Sequence, residues 1–208
     1  MSIAEKIKSN PKLKKLALRL LMPKNQARPR LWIKLIVNPL SPKIKKRRGS
    51  LIRKKTRMDL MPYNRFYLGR NSTVEDFSTI NNGVGDVVIG DNTRIGISNI
   101  LIGPVTIGNE VRMGQHIILS GLNHGYQNVT APPRMQEVTI SEIKVEDEAW
   151  IGANSAVIAG VTIGKHAVIA AGSVVTKDIP PYSVAVGNPA RVIKKYNFDT
   201  KVWEKVES

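Results

Sequence analysis

The sequence predicts an all-β fold, a parallel β-helix, preceded by a basic and partly helical N-terminal arm. Two observations predict it: large aliphatic residues recur every six positions between residues 89 and 175, and positive charge is concentrated in residues 1–57. The chain has 208 residues, of which 42% are hydrophobic and 23% charged, the composition of a globular protein. It contains no cysteine, which excludes disulfides, a thiol nucleophile and zinc–cysteine sites.

The charge changes abruptly along the chain. Residues 1–57 contain nineteen Lys or Arg and a single acid, Glu5, and carry +18, whereas residues 58–208 carry −2. The break in composition separates a basic amphipathic arm or cap at 1–61 from the rest of the chain, in which we expect a repeat domain at 62–196 and a C-terminal helix at 197–208. In the last segment, Asp199 and Thr200 would cap a helix that carries Val202 and Trp203.

Two columns of aliphatic residues define the repeat. Their members, six residues apart, are Ile89, Ile95, Leu101, Ile107, Met113 and Leu119, and then Val145, Ile151, Val157, Ile163, Ile169 and Val175. A period of six matches neither an α-helix nor the 8–12-residue strand spacing of a β-sandwich. Coils stacked about 4.8 Å apart, with the aliphatic side chains pointing inward, satisfy this period.

Two stretches near the C-terminus carry a family resemblance. Residues 151–182, which begin Ile151-Gly-Ala-Asn-Ser-Ala, and residues 186–194, Val-Gly-Asn-Pro-Ala-Arg-Val-Ile-Lys, resemble the signature of the hexapeptide-repeat acyltransferases. The sequence is similar to galactoside, maltose, xenobiotic and capsular-polysaccharide O-acetyltransferases of that family. The resemblance implies a left-handed triangular prism, a homotrimer with active sites between subunits, and acetyl-CoA as co-substrate.

One interruption of the repeat marks the candidate catalytic residue. Leu119 and Val145 are twenty-six positions apart, four hexads plus two, so a loop at about 120–142 must leave the prism. His124 lies in this loop, and a His side chain can take a proton near neutral pH. The spacing from Val105-Thr-Ile-Gly to His124 resembles that of the family, which implies that His124 is the general base. Gly125 stands where the family more often has Pro.

Two other histidines, His116 and His166, fall at corner positions of the repeat and are predicted to be surface residues. Their spacing does not fit a metal site, and we expect no metal.

Three residues are candidates for binding the acceptor. Trp150 precedes an inward aliphatic residue and is predicted to point outward, toward a ligand or a neighbouring subunit. Asn123 is a candidate because it flanks His124. Asn99 is a candidate because the family often uses an Asn near this position to hold the acceptor. Asn99 is also in phase with the inward residues, which favours a hydrogen bond in the core.

The resemblance also implies a coenzyme A site. Small residues allow close approach of the pantetheine chain to the backbone, and cations would meet the phosphates. The matching positions are Ala153, Ala171, Thr176, Lys177, Arg191 and Lys194.

The N-terminal arm combines an amphipathic helix with basic runs. A helical stripe that ends at Pro23 consists of Leu13, Leu16, Ala17, Leu20 and Leu21, and an apolar run follows at 31–37. Basic runs occupy 43–48 and 53–55. This pattern favours contact with an anionic membrane surface. A cap on the prism is the second interpretation, and nucleic-acid binding, which we do not expect, is the third.

Together these observations predict a CoA-dependent O-acetyltransferase that modifies a hydroxyl of a sugar or glycan. No apolar run is long enough for a signal peptide or a membrane span, so we expect a cytoplasmic protein, at the inner face of the membrane if the arm binds lipid. An N-acyltransferase acting on an amino-sugar is the alternative within this class. A non-catalytic β-helix scaffold and a nucleic-acid-binding module are the alternatives outside it.

Overall fold

The protein folds as a three-sided parallel β-helix, in a computed structural model that describes residues 9–24 and 28–206. Each coil contributes one short strand to each of three sheets. The first sheet contains β1 (Ile44–Lys46), β4 (Phe66–Leu68), β7 (Val87–Ile89), β10 (Val105–Ile107), β15 (Ile143–Val145) and β18 (Thr162–Ile163). The second contains β2 (Leu51–Ile52), β5 (Thr73–Val74), β8 (Arg94–Ile95), β11 (Arg112–Met113), β16 (Trp150–Ile151), β19 (Val168–Ile169), β21 (Ser183–Gly187), β22 (Ala190–Asn197) and β23 (Val202–Lys205). The third contains β3 (Arg57–Asp59), β6 (Thr79–Asn81), β9 (Ile100–Ile102), β12 (Ile118–Ser120), β17 (Ala156–Val157) and β20 (Val174–Val175).

The aliphatic columns predicted from the sequence form the core. Strands stack in register, with Ile107 beside Ile89 on one side and Val145 on the other. Eleven of the twelve residues in the two columns are 0–2% exposed, and Met113 is 4% exposed. The six-residue period therefore reports the three sides of a coil, each with inward side chains at alternate positions.

Some corner positions of the stacked coils admit only glycine. A Cβ atom added at Gly90 would lie 2.5 Å from the backbone carbonyl of Gly108 in the next coil, closer than real contacts allow. Other corner residues adopt positive φ, among them His116 at 55° and His166 at 54°. Both of these histidines are exposed, as the sequence predicted.

The first coil begins inside the segment predicted to be an arm. β1, β2 and β3 occupy Ile44–Asp59 and pair in parallel with the next coil, so the β-helix starts eighteen residues before the predicted boundary at residue 62. The aliphatic column is broken in this coil because Lys46, which pairs with Leu68, is exposed. The high positive charge of the segment and this one interruption hide the repeat.

Two helical segments precede the first coil. Helix α1 (Pro11–Leu21) begins at Asn10, whose side chain accepts hydrogen bonds from the N–H groups of Lys12 and Leu13. A π-helical segment (Ile33–Val37) continues directly into a short helix, α2 (Asn38–Leu40). No helix among the described residues is long and apolar enough to cross a membrane.

The predicted C-terminal helix is wrong. Residues 197–201 form a turn in which the Asn197 side chain accepts hydrogen bonds from the N–H groups of Asp199 and Thr200. The chain then returns as β23, antiparallel to β22, with Tyr196 opposite Trp203. Their rings make an edge contact at 5.4 Å, a cross-strand pair that stabilises the hairpin over a helix.

Candidate active site

The loop that carries His124 leaves the prism between β12 and β15. Its base is a short antiparallel ladder, β13 (Leu122–Asn123) with β14 (Thr139–Ile140), and a 3₁₀ turn (Pro133–Met135) lies at its far end. His124 directly follows β13 and is exposed. A Cβ added at Gly125 would lie 2.5 Å from the Glu137 carbonyl oxygen, so the return strand packs closely against this residue. The imidazole is therefore presented at the root of a braced loop.

The distal part of the loop is fixed by one side chain. The Gln136 amide donates to the carbonyls of Asn128 (2.9 Å) and Ala131 (2.7 Å), and its oxygen accepts from the Asn128 N–H (3.0 Å).

His124 lines an open cavity of about 1330 Å³. The cavity lies between the loop, the coil that follows β3, and the N-terminal arm. The loop contributes His124 and Arg134, the coil contributes Met61, Tyr63, Asn81, Gly83 and Val84, and the arm contributes Pro11, Lys14, Lys15, Leu18, Arg19, Met22, Pro23 and Lys24. The contribution of the arm could not be predicted, because nothing in the sequence shows that α1 packs beside a loop more than one hundred residues away.

Tyr63 lines the cavity and is partly buried. Its hydroxyl donates to the Gly83 carbonyl at 3.0 Å, and partial burial raises the pKa of the phenol above its usual value. Tyr63 therefore stays a neutral hydrogen-bonding group in the wall of the cavity.

The three acceptor-binding candidates do not meet in the single chain. Trp150 points outward, as predicted, and is 56% exposed on the second sheet between Arg112 and Val168. Asn123 is exposed and pairs with Thr139 in the loop ladder. Neither Trp150 nor Asn123 lines the cavity beside His124.

Asn99 is not an acceptor-binding residue. Its side chain is fully buried, and both polar atoms are used inside the β-helix. The amide nitrogen donates to the Gly114 carbonyl at 2.9 Å, and the oxygen accepts from the Ile117 N–H at 2.7 Å. The phase of the repeat, which favoured a core hydrogen bond, was the correct guide.

Ala153 and Ala171 occupy equivalent corners of successive coils. The Gly172 N–H donates to the Ala153 carbonyl at 2.8 Å, and a Cβ at Gly152 would lie 2.5 Å from the Ala171 nitrogen, so the two corners are in close contact. Within residues 9–24 and 28–206, the backbone N–H groups of Ala153 and Ala171 have no hydrogen-bond partner. Two N–H groups without a protein partner at adjacent corners are candidate donors to the carbonyl oxygens of a ligand.

The remaining coenzyme A candidates lie around the C-terminal coil. Lys177 and Arg191 are exposed, and Thr176 and Lys194 are half-buried. In the part of the chain that the structure describes, none of the three cations Lys177, Arg191 and Lys194 forms an ion pair. This C-terminal group shares no residue with the His124 cavity, so the candidate residues form two separate groups in the single chain.

Known proteins with a hexapeptide repeat are similar to this chain in sequence. The model of the bacterial transferase hexapeptide family (six repeats) matches residues 142–177. The chain is 33% identical over 132 residues to "Putative lipopolysaccharide biosynthesis O-acetyl transferase WbbJ" of Escherichia coli K12, covering 59% of this chain and 67% of that protein. It is 32% identical over 129 residues to "Probable acetyltransferase Rv3034c" of Mycobacterium tuberculosis, covering 61% of this chain and 43% of that protein. The chain thus spans two thirds of the first relative and less than half of the second.

Solved structures share the fold. AntD, an N-acyltransferase from Bacillus cereus solved with dTDP and 3-hydroxybutyryl-CoA, superimposes with a TM-score of 0.67 at 21% identity, over 79% of this chain and 88% of AntD. The hexapeptide-repeat-containing acetyltransferase VCA0836 from Vibrio cholerae superimposes with a TM-score of 0.52 at 20% identity, over 94% of this chain and 93% of that protein.

A left-handed β-helix with a hexapeptide repeat, interrupted by one loop, defines the class of this molecule. The chain belongs to the hexapeptide-repeat acyltransferase family.

Proposed function

We propose that the protein is an O-acetyltransferase that moves an acetyl group from acetyl-CoA to a hydroxyl of a sugar or glycan, with His124 as general base. The observation that carries the proposal is the position of His124, exposed at the root of the loop and on the wall of a cavity large enough for a sugar. The name of the relative WbbJ supports acetyl transfer to oxygen.

In this mechanism His124 takes the proton of the acceptor hydroxyl as the oxygen attacks the thioester carbonyl. The new ester bond forms, the carbon–sulfur bond breaks, and the proton passes from the imidazolium to the departing thiolate. A positioned base contributes about 10²–10⁴-fold to the rate. No covalent intermediate on the protein is required, so the chain needs only to hold both substrates beside one imidazole.

The acetyl-CoA would lie along the C-terminal coils. The free N–H groups of Ala153 and Ala171 fit the amide carbonyls of pantetheine, and the unpaired cations Lys177, Arg191 and Lys194 fit its phosphates. AntD structures contain coenzyme A or 3-hydroxybutyryl-CoA, and the donor set of this chain suits the same chemistry.

A homotrimer would bring the two halves of the site together. The third sheet supports this, because its outward row, which begins with Arg57 and Thr79, is apolar from Ile100 onward. Ile100 and Ile118 are adjacent in register and 36% and 45% exposed, followed by Ala156 and Val174. Packing this row against a neighbour would bury it and place the His124 loop of one subunit near the C-terminal coils of the next. Trp150 and Asn123 would then meet the ligands at the interface.

The oligomer is tested by sedimentation equilibrium. The wild type is expected to be a trimer, and Ile100→Glu/Ile118→Glu is expected to be a folded monomer. Val88→Glu/Thr162→Glu, which adds the same charges to outward positions of the first sheet, is the control and should remain trimeric. A monomeric wild type would contradict the trimer.

The catalytic proposal is tested by calorimetry and turnover. Acetyl-CoA is expected to bind the wild type at about micromolar concentration and to bind Lys177→Ala/Arg191→Ala more weakly. Turnover is followed as thiol release with sugar and glycan acceptors. The absence of acetyl-CoA binding to a folded trimer would overturn the assignment in favour of a non-catalytic scaffold.

The same assay separates transfer to oxygen from transfer to nitrogen. An ester product is cleaved by alkaline hydroxylamine, whereas an amide product resists it. A hydroxylamine-stable product formed only with amino-sugars would replace the O-acetyltransferase proposal by the N-acyltransferase alternative.

A further inference from the structure

The His124 cavity is walled by positive charge from two distant parts of the chain. Helix α1 and the residues after it contribute four cations and the catalytic loop contributes a fifth, so that the set is Lys14, Lys15, Arg19, Lys24 and Arg134. The described residues that line the cavity include no Asp or Glu. None of the five cations forms an ion pair within residues 9–24 and 28–206.

An uncharged sugar in this cavity would leave the five positive charges unneutralised. Five unneutralised cations around one open space repel one another, and a bound anion relieves that repulsion. Phosphate oxygens accept several charge-assisted hydrogen bonds from Lys and Arg at once, which suits a set of five donors better than a single carboxylate does.

We propose that the acceptor carries a phosphate or diphosphate group and that these five cations bind it. His124 then takes the proton of a hydroxyl of the attached sugar. The inference rests on the proposed function and adds the chemical class of the acceptor. The arm thereby becomes part of the acceptor site. The coenzyme A phosphates are assigned to Lys177, Arg191 and Lys194, none of which lines this cavity.

The test uses inorganic pyrophosphate as the probe, titrated calorimetrically into the full chain. The variant Lys14→Gln/Lys15→Gln/Arg19→Gln is expected to bind pyrophosphate at least tenfold more weakly than the wild type. All three side chains are exposed, so the variant should fold, and circular dichroism checks this. The charge-preserving variant Lys14→Arg/Lys15→Arg is expected to bind as the wild type does.

The matched control removes three cations elsewhere. Lys177→Gln/Arg191→Gln/Lys194→Gln should still bind pyrophosphate in the His124 cavity and should lose affinity for acetyl-CoA. Two outcomes overturn the inference: unchanged pyrophosphate binding in the arm variant, or a loss of acetyl-CoA affinity in the arm variant, which would place the coenzyme A phosphates in the cavity.

Failure of this inference is distinguishable from failure of the proposed function. His124→Ala should keep pyrophosphate affinity while losing turnover. Uridine diphosphate and farnesyl diphosphate then identify the source of the diphosphate: tighter binding of the first indicates a soluble sugar nucleotide, and tighter binding of the second indicates a lipid-linked glycan.

An independent observation concerns the other side of the N-terminal segment. From Leu31 to Leu40 the chain presents an outward apolar surface, which we call the apolar cap face and which consists of Leu31, Trp32, Leu35, Ile36 and Leu40, 45–80% exposed. The opposite side is anchored: Ile33 is fully buried, and the Asn38 amide donates to the Leu60 carbonyl at 3.0 Å. In α1, Leu13, Leu16 and Leu20 are also exposed.

This exposure is the reverse of what a cap requires. The terminal element of a solenoid normally turns a polar surface to water. Here the segment covers the first coil and still exposes large aliphatic side chains, so the apolar cap face needs a partner.

The surrounding charge selects the partner. Arg28 and Arg30 lie next to the apolar cap face in sequence, and Lys43, Lys45 and Lys46 follow it, all exposed. A second copy packed face to face would bring the same cations together, whereas an anionic lipid surface satisfies both the cations and the apolar side chains. We infer that the apolar cap face lies on a membrane that contains anionic lipid.

Vesicle sedimentation tests this inference. The wild type is expected to sediment with vesicles of phosphatidylcholine and phosphatidylglycerol, less with phosphatidylcholine alone, and less again at high salt. Leu31→Glu/Leu35→Glu/Ile36→Glu is expected to lose binding. Tyr126→Glu/Val129→Glu/Met135→Glu, which adds three charges at exposed apolar residues of the loop, is the matched control and should bind.

Retained vesicle binding by the cap-face variant would overturn the inference. So would a change in its oligomeric state without lipid, since the face would then be an interface between copies of this chain.

Discussion

The Nζ of Lys34 lies 3.4 Å from the Oδ1 of Asp59, a carboxylate whose side chain is fully buried. Arg57 pairs with the other oxygen of the same carboxylate, while both cations remain partly exposed. One buried charge therefore joins the N-terminal segment to the first coil, and the two ends of the pair are not equivalent. Cations released from the pair return to water, whereas the carboxylate stays buried.

This asymmetry predicts which substitution lowers the free energy of unfolding more. Lys34→Met/Arg57→Met should lower the free energy of unfolding by about 3 kcal/mol, because it leaves a buried carboxylate without a partner. Asp59→Asn should cost about 1 kcal/mol, since it removes the charge and keeps the shape. Urea unfolding measures both, and a larger loss for Asp59→Asn would contradict the account.

The three histidines provide an internal control for catalysis. His124→Ala should lower kcat by about 10²–10⁴-fold with unchanged acetyl-CoA affinity, because the imidazole acts on the acceptor proton. His116→Ala and His166→Ala, both at exposed corners, should keep wild-type kcat. Steady-state kinetics decides, and full activity of His124→Ala would remove the proposed base.

Asn99 should behave as a structural residue. Asn99→Ala leaves the Ile117 N–H and the Gly114 carbonyl without their partner inside the core, and should lower the free energy of unfolding by about 2 kcal/mol. Asn99→Ser should cost less, because serine occupies the equivalent position of other coils at Ser78 and Ser155. An increase in the KM for the acceptor without a loss of stability would restore Asn99 to the site.

A surface cluster gives a pH dependence with a definite sign. Hydrogen bonds from His166 and from Lys165 hold the pKa of Glu148 below its usual value of 4.5. The unfolded carboxyl takes up its proton at higher pH than the folded one, so the stabilisation is present above pH 4.5 and is lost as the pH falls through the folded pKa.

The variant Glu148→Gln should therefore lose less stability than the wild type on acidification from about pH 5 to about pH 3, by urea midpoint. Glu137→Gln, at an exposed carboxylate of the loop, is the control and should follow the wild type. A wild-type slope in Glu148→Gln would show that the cluster does not contribute.

Much of the β-helix could be predicted because its signal is periodic and local. The coils after the first bury aliphatic residues at the same places, so Ile107 and Val145 can be identified as core residues without knowing what they touch. The first coil was not predicted because Lys46 interrupts the aliphatic column. The C-terminal hairpin was not predicted because it is stabilised by a contact across strands, between Tyr196 and Trp203.

The candidate site was predictable only in part. His124 is visible in the sequence because it falls where the register slips. The packing of Lys14, Arg19 and Arg134 around it is a long-range contact that no repeat encodes. The meeting of the His124 cavity with Ala153 and Ala171 would depend on a second chain, which a single sequence describes even less directly.

The reversal of chain direction after β21 changes the edge that the second sheet presents at its end. β22 runs antiparallel to β21, and β23 continues that pattern with Lys195 and Lys205 along the last two strands. A parallel coil presents at its end the same edge on which another coil stacks, so an unprotected end could template end-to-end growth into a filament. In the second sheet the antiparallel, lysine-bearing hairpin replaces that edge, so another parallel coil cannot stack on it there.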